Sequence, residues 1–244
     1  MEKKFAFQNK IEEVTRLVSF IRKRKNIELE ARLGFLDSRK FNSNVKKDFF
    51  NSCLEMCESY DGWKNIKDWH SRRDFFLENN VRVSVFSEPV HRKISIRKKK
   101  LKTLTFPINF KDSNKINIPA EITGANKFEY SLPNALRIDA SVEEITTGEI
   151  KDQVPNFVRY KLIKQFKTKS GWSFDFSKTF THHDPQIVID MSTIFNQDDL
   201  KDNASYEVEV ELEDFDYLTK QSDINVATSL MLKVFDFLPH TAFV

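Results

Sequence analysis

"NIELEARLGF" (residues 26–35) sets Glu28, Glu30 and Arg32 on alternate positions, with Ile27, Leu29, Ala31 and Leu33 between them. Successive side chains of a β-strand leave on opposite faces, so the charged groups share one face and the aliphatics the other. "YEVEVELE" (206–213) repeats the pattern, with Glu207, Glu209, Glu211 and Glu213 opposed to Val208, Val210 and Leu212. An antiparallel strand that is apolar inside and polar outside explains ordinary alternation. It explains a row of carboxylates poorly. Same-face side chains lie ~6.6–7 Å apart and neighbouring strands ~4.8 Å apart, so each acidic row repels itself, and two adjacent rows repel more. Something positive must face them: basic residues from other strands, if the sheet closes with its charged faces inward, or a divalent cation. Mg²⁺ or Mn²⁺ prefers carboxylate oxygens and keeps several waters.

Other segments share the two-residue period. Arg137, Asp139, Ser141 and Glu143 oppose Leu136, Ile138, Ala140 and Val142; Arg82 and Ser84 oppose Val81, Val83 and Val85. Arg159 and Lys161 oppose Val158, Tyr160 and Leu162, and Ser173 and Asp175 oppose Trp172, Phe174 and Phe176. The expected strands are 26–34, 81–86, 92–97, 101–106, 127–131, 136–145, 157–167, 172–177, 186–191 and 205–213. Helical stripes run over 9–24, over 44–60 with Asn44 as N-cap, and over 222–238. Many strands and few helices predict an α+β chain: an antiparallel β architecture with helices packed outside.

Composition narrows the function. The 244 residues carry 39 basic and 36 acidic side chains, so the net charge of +3 says less than its distribution. Basic clusters at "RKRK" (22–25) and "HRKISIRKKKLK" (91–102) stand apart from the acidic strand, which points to cations meeting a polyanion. Only 5 glycines argue against a Gly-rich phosphate loop. Cys53 and Cys57, at helical spacing, read as buried thiols of a reducing compartment. No apolar run is long enough for a membrane span, and "MEKKFAFQNK" lacks a signal-peptide core; a cytosolic or nuclear home is expected. "THHDPQ" (181–186) has turn composition, so His182, His183 and Asp184 read as a solvated loop. Phe49, Phe50, Trp63, Trp69, Phe75 and Phe76 read as packing residues.

Hydrophobic-Glu-x-Glu-x-Arg-x-Gly ("IELEARLG") followed near the other end by Glu-x-Glu-x-Glu ("YEVEVELE") resembles the metal-dependent RNA 5′-triphosphatases of the triphosphate tunnel metalloenzyme superfamily, the mRNA-capping β subunits of fungi, microsporidia and protists with relatives in large DNA viruses. "VRVSVF", "IRKKKLKTLTF", "LRIDASVEE", "VRYKLIKQF" and "SGWSFDFSKT" are similar to the family's intervening strands, so the resemblance covers about 26–213 of a single domain spanning 1–244. It implies an antiparallel eight-stranded β-barrel, the triphosphate tunnel, with helices outside. It implies metal ligation by Glu28, Glu30 and Glu211, with Glu209 in the metal set and Glu207 beside it, each holding waters or basic side chains. It implies that Glu143, favoured over Glu144 by parity, acts on the water, and that Arg82, Arg159, Lys161, Asp175 and Glu207 serve catalysis. Phosphates would be held by Arg32, Arg82, Arg137, Arg159, Lys161 and the lysine strand, where Lys98, Lys99 and Lys100 compete to enter the tunnel and Lys98 and Lys100 are the chosen pair.

The implied reaction is removal of the γ-phosphate of 5′-triphosphate RNA, the first step of capping, with Mg²⁺ or Mn²⁺ as cofactor and hydrolysis of nucleoside triphosphates as a side activity. A capping guanylyltransferase is the implied partner, a homodimer stays open, and no membrane is expected. A nuclear location follows for a cellular enzyme, a cytoplasmic or virion one for a large DNA virus. The chain's start and end fit a free-standing enzyme. Two rivals remain: a tripolyphosphatase or organic-triphosphate hydrolase of the same superfamily, and a noncatalytic β module binding RNA or protein through its basic strands.

Overall fold

The computed structural model of the chain describes residues 2–86, 92–108, 132–146, 154–184 and 204–238. Its strands are β1 (Ile27–Asp37), β2 (Lys40–Asn42), β3 (Asn65–Phe76), β4 (Val81–Phe86), β5 (Arg92–Pro107), β6 (Ala135–Ile145), β7 (Phe157–Lys167), β8 (Trp172–His182) and β9 (Ser205–Leu212). The helices are α1 (Glu2–Ile21), α2 (Lys47–Ser59), α3 (Phe215–Lys220) and α4 (Asp223–Phe235). Neighbours pair antiparallel in the order β2-β1-β6-β5-β4-β3-β7-β8-β9, and β9 returns to pair with β1. Eight strands therefore close into a barrel, and β2 only extends the β1 hairpin. Closure removes the sheet's free edges. It also gives the barrel an inside, which the parity of each strand then fills.

The aliphatic parity faces outward. Ile27, Leu29, Ala31 and Leu33 of β1, Leu136, Ile138 and Ala140 of β6, Trp172, Phe174 and Phe176 of β8 and Val208, Val210 and Leu212 of β9 are all buried. They form one core with Val14, Leu17, Val18 and Ile21 of α1, Phe50 and Cys53 of α2, and Val226, Ala227 and Leu230 of α4. Phe50 meets Phe176 edge-on at 5.6 Å between centroids. Among the described residues, the outward side of β3 and β4 holds a smaller cluster around Leu77, Val81 and Val83, with Phe75 against it. The helices thus brace the side of the barrel that carries the acidic strands.

Two glycines are fixed by close approach. A Cβ on Gly34 would sit 2.2 Å from the Asn42 carbonyl oxygen across the β1–β2 hairpin. Gly171 turns β7 into β8 with φ at +80°, and a Cβ there would meet the Asp214 side chain. Arg22 ties α1 to the C-terminal helices by pairing with Asp223 and bonding the Leu218 and Gln221 carbonyls.

Several local expectations are corrected. The segments 92–97 and 101–106 are one strand, β5, whose register with β6 shifts between Lys100 and Lys102. The expected strand 172–177 continues to His182. Asn44 does not cap α2: Lys46 holds that position, and the Asn44 side chain instead accepts from the Tyr206 amide. β3 is a strand that the period did not mark. The expected strands 127–131 and 186–191 lie outside the described residues. His182 closes β8, while His183 and Asp184 are exposed.

Leu29 is wholly buried on the outer wall. Leu29→Ala should lower stability by about 2–5 kcal/mol in urea unfolding; an unchanged midpoint would place the apolar face of β1 outside the core.

Candidate active site

Each inward parity meets its neighbours across the barrel. The pairing of β1 with β9 sets Glu30 opposite Glu211 and Arg32 opposite Glu209; β1 with β6 sets Glu28 opposite Ser141, Glu30 opposite Asp139 and Arg32 opposite Arg137. Lys98 of β5 stands beside Glu143 of β6, Arg82 of β4 beside Phe76 of β3, Lys161 of β7 beside Arg72 of β3, and Asp175 of β8 beside Glu209. One cavity of about 360 Å³ is lined by Arg32, Arg82, Arg137, Arg159, Lys98 and Lys100, among others. A second of about 270 Å³ runs on from it, sharing Glu30, Arg32, Phe76, Arg82, Lys98 and Arg159, and adds Glu28, Glu211, Asp175, Lys67, His70 and Arg72. The arginine-rich end is called the front mouth. The rear mouth is where β1 and β3 begin.

The charges compensate unevenly. Lys161 Nζ bonds Glu207 at 2.9 Å, and both are buried. Burial raises the Glu207 pKa, but Lys161, Arg32 and Arg159 outweigh it and hold the carboxyl well below its usual range. Asp139 is likewise held low against burial by Thr103, Lys100 (3.0 Å) and Arg137 (2.6 Å). Lys98 pairs with Glu28 and reaches Glu30 at 3.4 Å; against burial, that pairing and Ser141 keep Glu28 low. Arg32 reaches Glu30 at 2.7 Å and Glu209 at 2.6 Å, the second without hydrogen-bond alignment.

Three carboxylates are left short of countercharge. Glu30, 3% exposed, is pushed up to about 7 by burial and its acidic neighbours despite Arg32 and Lys98. Asp175 is raised to about 6 by burial and by Glu209, and its Oδ1 has no hydrogen-bond partner. Glu211 is raised well above the carboxylate range by burial and by Asp175, Glu28 and Glu30. Glu143, beside Arg82 at 3.3 Å, is raised by burial and Glu28. Among the described residues no three such groups are gathered into a metal cage; Lys98 and Arg32 contact Glu28, Glu30 and Glu209. The donor set nevertheless suits a hard divalent cation: carboxylate oxygens only, buried, with excess negative charge.

The opposite imbalance occurs at the front. Arg82 Nε and Arg159 Nε are buried without hydrogen-bond partners, and among the described residues Arg159 has no carboxylate at ion-pair distance. Its guanidinium lies 5.2 Å over the Phe76 ring, which stacks on Phe157 at 4.4 Å. Phe76 therefore lines the tunnel rather than the core, a correction to its reading as a packing residue. Lys98 and Lys100 reach tunnel carboxylates, Lys100 from an exposed position, whereas among the described residues Lys99, also exposed, pairs with none. Glu143 lines the tunnel, while its neighbour Glu144 is exposed. Glu213 has left the barrel and pairs with Lys167. The "RKRK" cluster lines neither cavity, since Arg22 braces helices and Arg24 lies over Phe20.

Sequence reasoning missed β3. Arg72 and Asp74 point inward, Asp74 is 1% exposed, and it is held by Arg72 at 3.0 Å and Ser84 at 2.6 Å. Its charge also faces Arg82 and Lys161. The signal was present as Arg72-x-Asp74-x-Phe76, but Ser71 and Arg73 on the other parity hid it.

No family model and no curated protein sequence matches this chain. Solved structures do. The S. pombe Pct1 RNA triphosphatase superposes over 93% of this chain and 91% of its own with a TM-score of 0.63 at 15% identity. The RNA triphosphatase domain of a trifunctional mimivirus mRNA capping enzyme covers 95% of this chain and 97% of its own, with a TM-score of 0.57 at 13% identity. The chain has the triphosphate tunnel fold. A second Pct1 structure is a complex with the Spt5 CTD.

Glu30 and Glu211 bind protons in the folded chain at pH values where the unfolded carboxyls, with pKa near ~4.3, do not. Between about pH 4.3 and 7 the folded state holds more protons, so the metal-free protein should lose stability as pH rises through that window. Glu211→Gln should remove part of this slope and stabilise the metal-free protein at pH 8 by on the order of 1–3 kcal/mol. Thermal unfolding from pH 5 to 8 reads it, and a slope of the opposite sign would mean the carboxylates are fully compensated.

Proposed function

We propose that this chain is a divalent-metal-dependent RNA 5′-triphosphatase that converts a triphosphate end to a diphosphate end. The observation that carries the reading is the split imbalance of the tunnel. Glu30, Glu211 and Asp175 are short of countercharge toward the rear, Glu30 despite Arg32 and Lys98, while Arg82 Nε and Arg159 Nε are buried, unpartnered donors toward the front. A polyphosphate carrying a divalent cation satisfies both. The same fold in the Pct1 RNA triphosphatase and the mimivirus capping domain supports the choice of RNA ends over other triphosphates.

Arg32, Arg82, Arg137 and Arg159, with Lys100 at the rim, bind the phosphates nearest the nucleoside through charge-assisted hydrogen bonds. Lys161 and Lys98, each already beside a carboxylate, face the terminal phosphoryl group and offset charge gathering on the leaving diphosphate. Glu28, Glu30, Glu209 and Glu211 would hold Mg²⁺ or Mn²⁺, which when bound withdraws charge from a phosphoryl oxygen and acidifies water. Glu143, made a stronger base as burial and Glu28 raise its pKa, takes the proton of the attacking water. The water oxygen bonds to the γ-phosphorus as the bridging P–O bond breaks, and the β-phosphate keeps the electron pair. Asp74 and Glu207 position Arg72, Arg82 and Lys161 rather than touch substrate. The diphosphate product is the acceptor a capping guanylyltransferase requires, and such an enzyme is the proposed partner.

Phosphate release from γ-labelled triphosphate RNA should require Mg²⁺ or Mn²⁺. It should fall by about 10²–10³ in Arg159→Ala, in line with loss of one transition-state donor, and vanish in Glu28→Ala. Equal release by wild type and Glu28→Ala would sink the metal assignment. No release by the wild type would favour a binding module, and a preference for inorganic tripolyphosphate over RNA would move the substrate class.

A further inference from the structure

β3 carries an irregularity with a definite consequence. Its register with β7 passes from Lys67 opposite Gln165 to His70 opposite Ile163, three residues on one strand against two on the other. A bulge of this kind re-aims side chains. By simple alternation from His70, Arg72 and Asp74, position 67 would point outward. The extra residue brings Lys67 inward instead, and both Lys67 and His70 line the rear cavity. The displaced pair stays outside: Trp69 packs against the outer core with Lys178 over its ring at 5.0 Å, and Asp68 meets Lys164 at 3.3 Å.

Lys67 therefore lines the same cavity as Glu28 and Glu211, yet among the described residues no carboxylate lies at ion-pair distance from it. Burial, Lys167 and Arg72 lower its pKa, with Asp175 and Glu213 opposing them; an anion beside it would relieve that crowding. His70 Nδ1–H donates to the Asp68 carbonyl at 3.1 Å, and burial, with Lys67 and Arg72 nearby, lowers its pKa against backbone bonds at Asp68 and Ile163, so the ring lines the cavity as a neutral neighbour of Lys67. Arg72 completes the wall, anchored by Asp74.

The direction of the reaction gives these groups a task. Phosphoryl transfer runs with attacking and leaving oxygens roughly in line. A polynucleotide enters at the arginine-rich front, so its diphosphate leaves frontward and water attacks from the rear. The γ-phosphorus inverts toward the rear as the new bond forms.

We infer that Lys67, backed by Arg72 and flanked by the neutral His70 ring, forms a receiving site for the released orthophosphate at the rear mouth, which serves as water inlet and phosphate outlet. The site rests on the triphosphatase reading for the direction of travel, but its ligand chemistry does not: it takes a free tetrahedral oxyanion. The rear opening also lies beside Glu143, Glu144 and Glu213, which repel the same anion and keep its stay short.

The test uses the full chain and inorganic phosphate. Titration followed by ³¹P NMR in the presence of Mg²⁺ should show binding to the wild type that weakens about 10-fold or more in Lys67→Met and is retained in Lys67→Arg. In turnover, the inhibition constant for phosphate should rise by the same factor in Lys67→Met while KM for triphosphate RNA moves far less; Arg159→Lys should show the reverse. Retention by Lys67→Arg separates charge from folding. Unaltered phosphate binding in Lys67→Met, or KM and inhibition constant rising together, would overturn the outlet. Phosphate binding lost in Lys67→Met from a wild type that hydrolyses no triphosphate would keep the anion site and sink the triphosphatase reading instead.

Discussion

Barrel closure forces two acidic rows together, and everything else in the tunnel answers to that contact. When β9 pairs with β1, Glu30 stands opposite Glu211, with Cβ atoms ~4.5–5.5 Å apart. Two such charges at an effective dielectric of about 20 repel by roughly 3 kcal/mol, a large share of the 5–15 kcal/mol that separates folded from unfolded chains. A protein built only to be stable would place a lysine opposite one of them. Here Arg32, one turn of the pleat away, serves both Glu30 and Glu209, and Glu211 is left to proton uptake or a cation. The deficit is local. Elsewhere the carboxylates are matched nearly one for one, as in Lys161 with Glu207 and Arg72 with Asp74.

Such an interior is tenable because the outer wall supplies the cohesion. The apolar parities of β1, β6, β8 and β9 are covered by α1, α2 and α4, and those strands hold the acidic groups. Burial at about 25 cal/mol per Å² of apolar surface thus stabilises the strands where charge repulsion strains them. β3 and β4, whose inward groups include compensated pairs, have the smaller outer cluster among the described residues. Stability and charge deficit sit back to back on the same strands.

What the sequence made legible follows the same division. β1 and β9 were readable because each alternates strictly between aliphatic and acidic side chains, and their like charges could not be explained by solvent exposure alone. β4, β6 and β7 were readable because apolar side chains, from Val81, Val83 and Val85 to Val158, Tyr160 and Leu162, occupy the outer parity. β3 was not, because Ser71 and Arg73 stand where an apolar residue would have announced a strand, so Arg72 and Asp74 escaped notice. Glu143 over Glu144 followed from counting in twos. The choice among Lys98, Lys99 and Lys100 did not, since β5 changes phase within its own length.

That phase change occurs twice in the barrel. In β5 the extra residue at Leu101 lets Lys100 and Thr103 both reach Asp139, while Leu101 and Leu104 both stay in the outer core. In β3 the extra residue lets Lys67 and His70 both face the cavity while Trp69 stays outside. A strict alternation spaces inward groups ~6.6–7 Å apart along a strand and fixes their height in the tunnel. A bulge shifts that height without giving up the outer packing. Each bulge here moves a basic group, one toward the front mouth and one to the rear, on the wall facing the acidic strands. Two departures from strict alternation thus set basic groups at both ends of the tunnel while the outer packing is kept.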